Sequence, residues 1–332
     1  MLSEVLRAVR LTGAVFFTLD GAAPWVAEAP AARLVAPHVM PGSEHVIEYH
    51  VVKQGVCYGS VVGGTPVRLE AGDVIAFPHG DAHVISSAPG LRGPTDLSLF
   101  RRPESGQLPI AIAHNSRGTE RGQIVCGFLG CDANPFNPLL SVLPNMIHMP
   151  RRLEAAADPS SLAEHLVQAA VAESSAAKPG AQSMLARLSE LLFIELVRYQ
   201  LSITPSGATG WLAGLRDEVI GRSLSLLHER PAHAWTLEEL AKEVGLSRSM
   251  LAERFHHYVG TPPMQYLAQW RMQLAAALLS SDNVSLGEVA ERVGYGSEAA
   301  LSRAFKRLVG VAPSDWRDGA RPQLREASGQ LL

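Results

Sequence analysis

Between Thr236 and Trp316 the chain states one short pattern twice, and that duplication constrains the fold more than any other feature of its 332 residues. Leu237, Leu240, Ala241, Val244, Gly245, Ser247, Leu251, Phe255, Gly260 and Pro263 make the first copy. Leu286, Val289, Ala290, Val293, Gly294, Ser297, Leu301, Phe305, Gly310 and Pro313 make the second. The offset is 49 residues up to the glycine and 50 beyond it, where Gly296 is inserted. A repeat of this period is one supersecondary unit used twice.

Each copy reads as helix, tight turn, helix. Leu237, Leu240, Ala241 and Val244 fall at i, i+3, i+4 and i+7, one face of a helix. Thr236 with Glu239, and Ser285 with Glu288, are capping boxes that open the first helices, and Gly245 and Gly294 close them. Ser247 and Ser297 cap the second helices, which bury Leu251 with Phe255 and Leu301 with Phe305. Such a unit leaves one polar face uncovered, and the helix-turn-helix geometry sets that face in the major groove of DNA. The apolar segment from Pro263 to Leu279 is roughly 25 Å of helix at about 1.5 Å per residue. That length can hold two recognition helices about 34 Å apart, in successive grooves on one side of the duplex.

The double unit, with ERFHHYVGTPPMQYLAQWRMQLAAALL joining it and VGYGSEAALSRAFKRLVGVAPSDWR closing it, resembles the DNA-binding domain of the AraC/XylS family of transcriptional regulators. On the first recognition helix Arg248, Ser249, Ala252, Glu253 and His256 lie away from the buried pair. On the second, Glu298, Ala299, Ser302, Arg303 and Lys306 do. The resemblance implies that Ser249, Ala252 and Glu253 face bases in one groove and Ala299, Ala300, Ser302 and Arg303 in the next. Arg303 can pair with guanine and Glu253 can accept from cytosine, while Arg248, Lys306 and Arg307 hold phosphates. From Arg216 to Arg321, 13 Lys plus Arg balance 13 Asp plus Glu. Nonspecific affinity is therefore expected to be modest, with the cations gathered on one face.

A chain of this length with 47% hydrophobic and 18% charged residues has room for two cores. A net charge of -3 argues against a membrane or bulk polyanion role, and no run approaches a membrane span. Three cysteines, Cys57, Cys126 and Cys131, make no disulfide framework and fit a reducing cytoplasm. Arg7 and Arg10 before LTGAVFFTL crudely mimic a signal peptide, but Glu4, Thr18 and Asp20 interrupt the run, which reads as a helix followed by a strand.

From Gly13 to about Pro150 short runs such as GAVFFTL, EHVIEYHVV, VCYGSVV, DVIAFP and QIVCGFLG alternate with turn residues, the texture of a sandwich or barrel. Gly72, Pro78, Gly80 and His83 match the second motif of the cupins, so this half resembles the cupin sensor domain of many AraC-type regulators, a jelly-roll β-barrel with a ligand or metal in its mouth. The first motif is degraded: Glu48-Tyr49-His50 stands where His-x-His is expected, with Gln54 near the position of the glutamate.

Two uses of the barrel follow. Glu48 and His50 share strand parity and can both point inward. His50, His83, Cys57 and Cys126 could then form a zinc-like set for zinc or another divalent metal. Cys126 and Cys131, five apart, would face opposite sides of a regular strand. Alternatively each cysteine is a small buried hydrophobe, and Glu48, His50, Cys57, Tyr58, His83, Cys126 and Phe128 line an effector pocket. After Pro150, Leu162, His165, Leu166 and Ala169 mark one helix, and Met184 to Tyr199 carry a second, which the resemblance implies pairs two chains in a homodimer.

The expected organisation is a cupin over 1–155, a helical dimerisation segment over 156–203, a linker over 204–215, an all-α domain of two helix-turn-helix units over 216–321 and a disordered tail over 322–332. The expected function is transcription activation or repression by a non-enzyme that binds double-stranded DNA, senses a small molecule or metal and works with RNA polymerase. The rival is a cupin enzyme, a metal-dependent oxygenase or isomerase, fused to a DNA-binding domain. The broken His-x-His motif counts against it. A third reading is an empty scaffold regulated by abundance alone.

Overall fold

Two chain-dispersed units make up the protein, and neither is a single continuous stretch. They are seen in a computed structural model, in which the described residues are 2–101, 108–114, 118–151, 162–175, 178–205, 208–280 and 284–319. In chain order the elements are α1 (Leu2–Ala8), β1 (Thr12–Ala22), β2 (Val26–Ala29), α2 (Ala32–Val39), β3 (His45–Gln54), β4 (Val56–Val61), β5 (Val67–Glu70), β6 (Val74–Phe77), β7 (His83–Ser86), β8 (Ile110–His114), β9 (Arg121–Cys131) and β10 (Ile147–Met149). There follow α3 (Leu162–Ser175), α4 (Ala181–Ile203), α5 (Trp211–Arg216), α6 (Glu218–Glu229), α7 (Leu237–Glu243), α8 (Arg248–Val259), α9 (Pro263–Leu279), α10 (Leu286–Arg292), α11 (Glu298–Val309) and α12 (Pro313–Arg317).

The β unit comprises Arg10–Asp132 and Leu143–Ile203. One sheet has the order β10-β6-β3-β9-β1-β8 and the other β2-β7-β4-β5. Pairing is antiparallel except between β1 and β8. Leu19, Ile75, Phe77 and Ile124 of the larger sheet share one buried cluster with Cys57, Leu69 and Ile85 of the smaller, so the sheets pack face to face.

The outer face of the larger sheet is covered by α4. The Tyr49 hydroxyl meets Ser189 Oγ at 2.5 Å, and Ser189 in turn donates to the Leu185 carbonyl at 2.7 Å. A Cβ on Gly13 would lie 2.3 Å from the Ala186 carbonyl oxygen, so that glycine sets how close α4 comes. Because β3 is buried on both faces from Val46 to Val52, its polar residues Glu48 and His50 are committed to the interior.

The helical unit comprises Met1–Val9, Ala133–Val142 and Thr204–Leu332. Its expected tandem motif is present in detail. Thr236 Oγ1 accepts from the Glu239 amide at 3.1 Å and Ser285 Oγ from the Glu288 amide at 3.2 Å. Gly245 and Gly294 take φ of +72° and +79°, and Gly260 and Gly310 end α8 and α11 in the left-handed region. Phe305 packs edge-on to Trp316, and Phe255 does so to Tyr266.

Two expected boundaries are corrected. Residues 1–9 and 133–142 cluster with the helices and not with the sheets, because Val5, Leu139 and Leu140 are buried there and Gln273 of α9 bonds to both segments. Residues 211–215 are not linker: Trp211 is buried and its indole N–H donates to the Tyr266 hydroxyl at 2.8 Å, which anchors α5 in the helical unit. The boundary at 155/156 and the tail 322–332 lie outside the described residues.

Candidate functional site

Capping explains how each recognition helix presents its face. Ser247 Oγ accepts from the Met250 amide at 3.3 Å and Ser297 Oγ from the Ala300 amide at 3.2 Å, which starts α8 and α11 at fixed points. With Leu251 and Phe255 turned inward at 0% exposure, Arg248, Ser249, Glu253 and His256 stand exposed and Ala252 is half-buried. In the second unit Glu298, Ala299, Arg303, Lys306 and Arg307 are exposed, while Ala300 and Ser302 are half-buried. The Glu298 carboxylate folds back over Gly287, where an added Cβ would come within 2.8 Å of it.

One ion pair ties α8 to its support. Asp217 caps α6 by accepting from the Val219 and Ile220 amides at 3.2 and 3.0 Å, and its other oxygen takes Arg254 of α8 at 2.5 Å. Burial raises the Asp217 carboxyl, but Arg254 and the amide donors outweigh it and hold the group below its ordinary range.

The β unit holds a cavity of about 110 Å³ between its sheets. Its walls are apolar, with Phe17, Leu19, Ile85, Ile124 and Phe128 prominent. The polar side chains at its wall are few. His50 and Cys126 are direct cross-strand partners on β3 and β9, Glu48 lies two residues before His50, and His83 comes from β7 in the facing sheet.

Hydrogen-bond geometry assigns the protons. His83 Nδ1 lies 3.0 Å from the Asp81 carbonyl, which can only accept, so Nδ1 carries the proton and Nε2 a lone pair. His50 Nε2, 2.7 Å from His83 Nε2, is then the donor, and His50 Nδ1 is left as an acceptor with no partner. Glu48 Oε1 likewise has none.

Burial holds Glu48 well above the carboxylate range. Burial also pushes His50, with His83 beside it, well below the imidazole range, and lowers His83 to about 4. The 3.8 Å approach of His83 Nε2 to Glu48 Oε2 is therefore a contact between neutral groups and not an ion pair.

Among the described residues no group of three or more His, Cys, Asp or Glu side chains is placed to hold a metal ion. Of the zinc-like set the two histidines meet, but the cysteines do not complete it. Cys57 packs into the Leu69 and Ile75 cluster, and burial raises its thiol to about 12, far from a ready thiolate. Two residues expected in the pocket are corrected accordingly. Cys57 fills core behind the cavity, and Tyr58, at the opposite strand parity, pairs with Ser86 and Arg68 away from it. Glu48, His50, His83, Cys126 and Phe128 do line it.

Comparison with known proteins matches residues 1–202 to the family described as Cupin and residues 240–319 to the Helix-turn-helix domain. An AraC-like transcription regulator of Streptomyces lividans is 33% identical over 319 residues, covering 95% of this chain and 97% of its own. The chain belongs to the AraC family of transcriptional regulators. The HTH-type transcriptional regulator AlkR of Acinetobacter baylyi is 30% identical over 268 residues, covering 81% of this chain and 86% of its own. The solved DNA-binding domain of AdpA in complex with a target DNA is 30% identical, covering 31% of this chain and 92% of that one with a TM-score of 0.30.

This AraC-family protein is thus a DNA-binding transcriptional regulator with a cupin-like half, and its relatives are named as transcriptional regulators. Among its described residues no helix is long and apolar enough to cross a membrane. Sequence reasoning passed over Met250, the third residue of α8, which is 57% exposed. Of the apolar cavity wall it named Cys126 and Phe128 but passed over Phe17, Leu19, Ile85 and Ile124. Ile124, Cys126 and Phe128 share one parity of β9, a period-two signal the sequence does carry.

Proposed function

We propose that this regulator couples a small molecule held between its sheets to the way its two recognition helices hold DNA. Glu48 and His50 line an apolar cavity, and their buried Oε1 and Nδ1 atoms have no partner; together these carry the reading. Buried polar atoms left unmatched cost stability, and a ligand that supplies the match gains what the protein alone lacks. Ser249, Ala252, Glu253, Ala299, Ala300, Ser302 and Arg303 face the bases, and Arg248, Lys306 and Arg307 the phosphates. Met184 and Leu191, seven residues apart on α4 and 54% and 45% exposed, fit a helix that pairs with its copy in a second chain.

Chain connectivity supplies the route of coupling. β1 and β9 carry Phe17, Leu19, Ile124, Cys126 and Phe128 of the cavity wall. The chain enters β1 directly from α1 and leaves β9 directly into residues 133–142. Both of those segments belong to the helical unit, where Gln273 of the connector helix α9 bonds to each. A ligand that favours one arrangement of β1 and β9 biases α9, and so the spacing of the recognition helices.

The test is selection of a preferred DNA sequence from a random library by the full chain, followed by a footprint and by affinity measurements with Cys126→Phe, which fills the cavity. Protection of two successive major grooves per chain, with an affinity changed several-fold by Cys126→Phe, is expected. An absence of any preferred sequence, or an affinity indifferent to filling the cavity, would sink the reading.

A further inference from the structure

We propose that the cavity selects a small uncharged alcohol or phenol, about one six-membered ring in size, whose single hydroxyl group is held by Glu48 and His50. The inference deepens the reading of the cavity as an effector site and names the chemistry of its ligand.

Size comes first. An apolar cavity of roughly 150 Å³ holds benzene, so about 110 Å³ between these sheets is on the scale of one ring or an equally short branched chain. The exposed Pro94, Asp96 and Leu99, which also line the cavity, put its mouth on the connection between β7 and β8.

Charge comes next. The formally charged side chains that line it among the described residues are Glu28, Glu48 and Asp96, all acids. Glu28 is matched by Arg92 at 2.5 and 2.8 Å, which leaves no Lys or Arg among the described residues lining the cavity to receive a carboxylate or phosphate. An anion would therefore pass the exposed Asp96 carboxylate and enter an apolar site that offers it no counter-charge among the described residues.

The hydrogen-bond inventory then decides between uncharged heads. His50 Nδ1 is a buried acceptor without a partner. Glu48, held neutral by burial, offers one O–H donor and one further acceptor. A hydroxyl group donates once and accepts, so it satisfies the imidazole and the carboxyl together. A ketone or ether only accepts and leaves His50 Nδ1 unmatched, and a hydrocarbon leaves both. An ammonium donates but cannot accept, so the Glu48 proton would have to leave. Leaving a buried polar group unmatched is what makes sites of this kind reject near-isosteric analogues.

Isothermal calorimetry and thermal unfolding of the full chain test this with phenol, cyclohexanol, toluene, benzoate and benzylamine as probes. Phenol and cyclohexanol should bind and raise the unfolding temperature, toluene should bind at least tenfold more weakly, and the two ions should not bind measurably. In Glu48→Leu the preference for phenol over toluene should fall to within about twofold. That variant removes an unmatched buried carboxyl and should fold at least as well as the wild type, and Glu48→Gln, which keeps a donor and an acceptor, should retain the preference. Tightest binding by benzoate or benzylamine, equal binding of toluene and phenol, or no binding by any probe would each overturn the assignment. Because binding is read without DNA, a failure here is distinct from failure of the effector reading, which rests on the response of DNA affinity to Cys126→Phe.

Discussion

Gln273 Oε1 accepts the backbone N–H of Phe136 at 3.1 Å, from the middle of a helix whose other buried residues are nearly all apolar. Its Nε2 donates to the Ala8 carbonyl at 3.3 Å, and the side chain is fully buried. One amide thus matches a donor from one segment and an acceptor from another, which is the work an interior Gln does best. Gln273→Leu, close in volume, should cost about 1 to 3 kcal/mol by leaving both backbone groups unmatched, measured by chemical denaturation. The variant should also separate cavity from DNA. In a double-mutant cycle with Cys126→Phe, read as operator affinity, the two substitutions should be non-additive. Additive effects would mean that the signal does not pass through Gln273.

Arg303 stands exposed on α11, one turn before Lys306 and Arg307. A guanidinium there can make the bidentate contact to guanine that fixes one base pair, while its neighbours act on phosphates. Arg303→Ala should cost about 1 to 3 kcal/mol against the preferred operator and relax discrimination at one position. Lys306→Ala should weaken all operator variants alike and lower the salt dependence by about one ion. Competition binding against a panel of single-base operator variants tells them apart, and an unchanged ranking with Arg303→Ala would remove the residue from base reading.

The two turn glycines look equivalent in the repeat but are not so in three dimensions. Gly245 has φ +72° with nothing within 4 Å of an added Cβ, whereas a Cβ on Gly294, at φ +79°, would lie 2.5 Å from the Ala232 carbonyl oxygen and 2.7 Å from its Cα. Gly245→Ala should therefore cost only the left-handed strain, about 1 kcal/mol, and Gly294→Ala roughly 3 kcal/mol or more, because backbone cannot step aside as a flexible side chain can. Denaturant midpoints of the two variants decide it. Equal losses would show that the loop carrying Ala232 gives way.

The helical repeat was legible because each of its features is local: a cap three residues from its partner, a glycine with one permitted turn, a buried pair four residues apart. The longer runs that became β1, β3, β4, β6 and β9 were legible for the same reason, while the short β2, β5, β7, β8 and β10 were not singled out. What could not be read was assembled across distance. Residues 1–9 and 133–142 give no local sign that they pack with α9; only Gln273, standing directly before the apolar run LAAALL, hinted that something polar must meet it. Tyr58 and Cys57 were expected together in the pocket, yet adjacent residues of a strand face opposite ways, and the one with the right parity was claimed by core packing. Glu48, His50 and His83 were readable as a set, but which of their atoms would be left without partners depended on the Asp81 carbonyl and on the depth of burial.

Those three residues also set a pH dependence whose sign can be worked out. His83 has its pKa lowered from 6.5 to about 4 by burial, so below pH 6.5 the unfolded chain takes up a proton that the folded chain refuses. The stability associated with neutral His83 is present above pH 6.5 and lost as pH falls toward 4, on the order of 3 kcal/mol in all. His50 is shifted in the same direction by burial and by His83. Glu48 opposes them. Its raised pKa means the folded chain keeps a proton that the unfolded chain releases above about 4.5, so its contribution is present in acid and lost as pH rises. Within this trio two groups outweigh one, and burial of His228, lowered to about 3, and of His45 adds to the same side, so the wild type loses stability between pH 6.5 and 4.5. Glu48→Gln, which removes the opposing group, should steepen that loss by about 1.4 kcal/mol per pH unit, and His83→Asn should flatten it. Urea midpoints at pH 4.5, 5.5 and 6.5 for the three proteins measure the slopes. A Glu48→Gln slope no steeper than wild type would mean that Glu48 is ionised in the folded protein, and with it the hydroxyl donor proposed for the cavity would be lost.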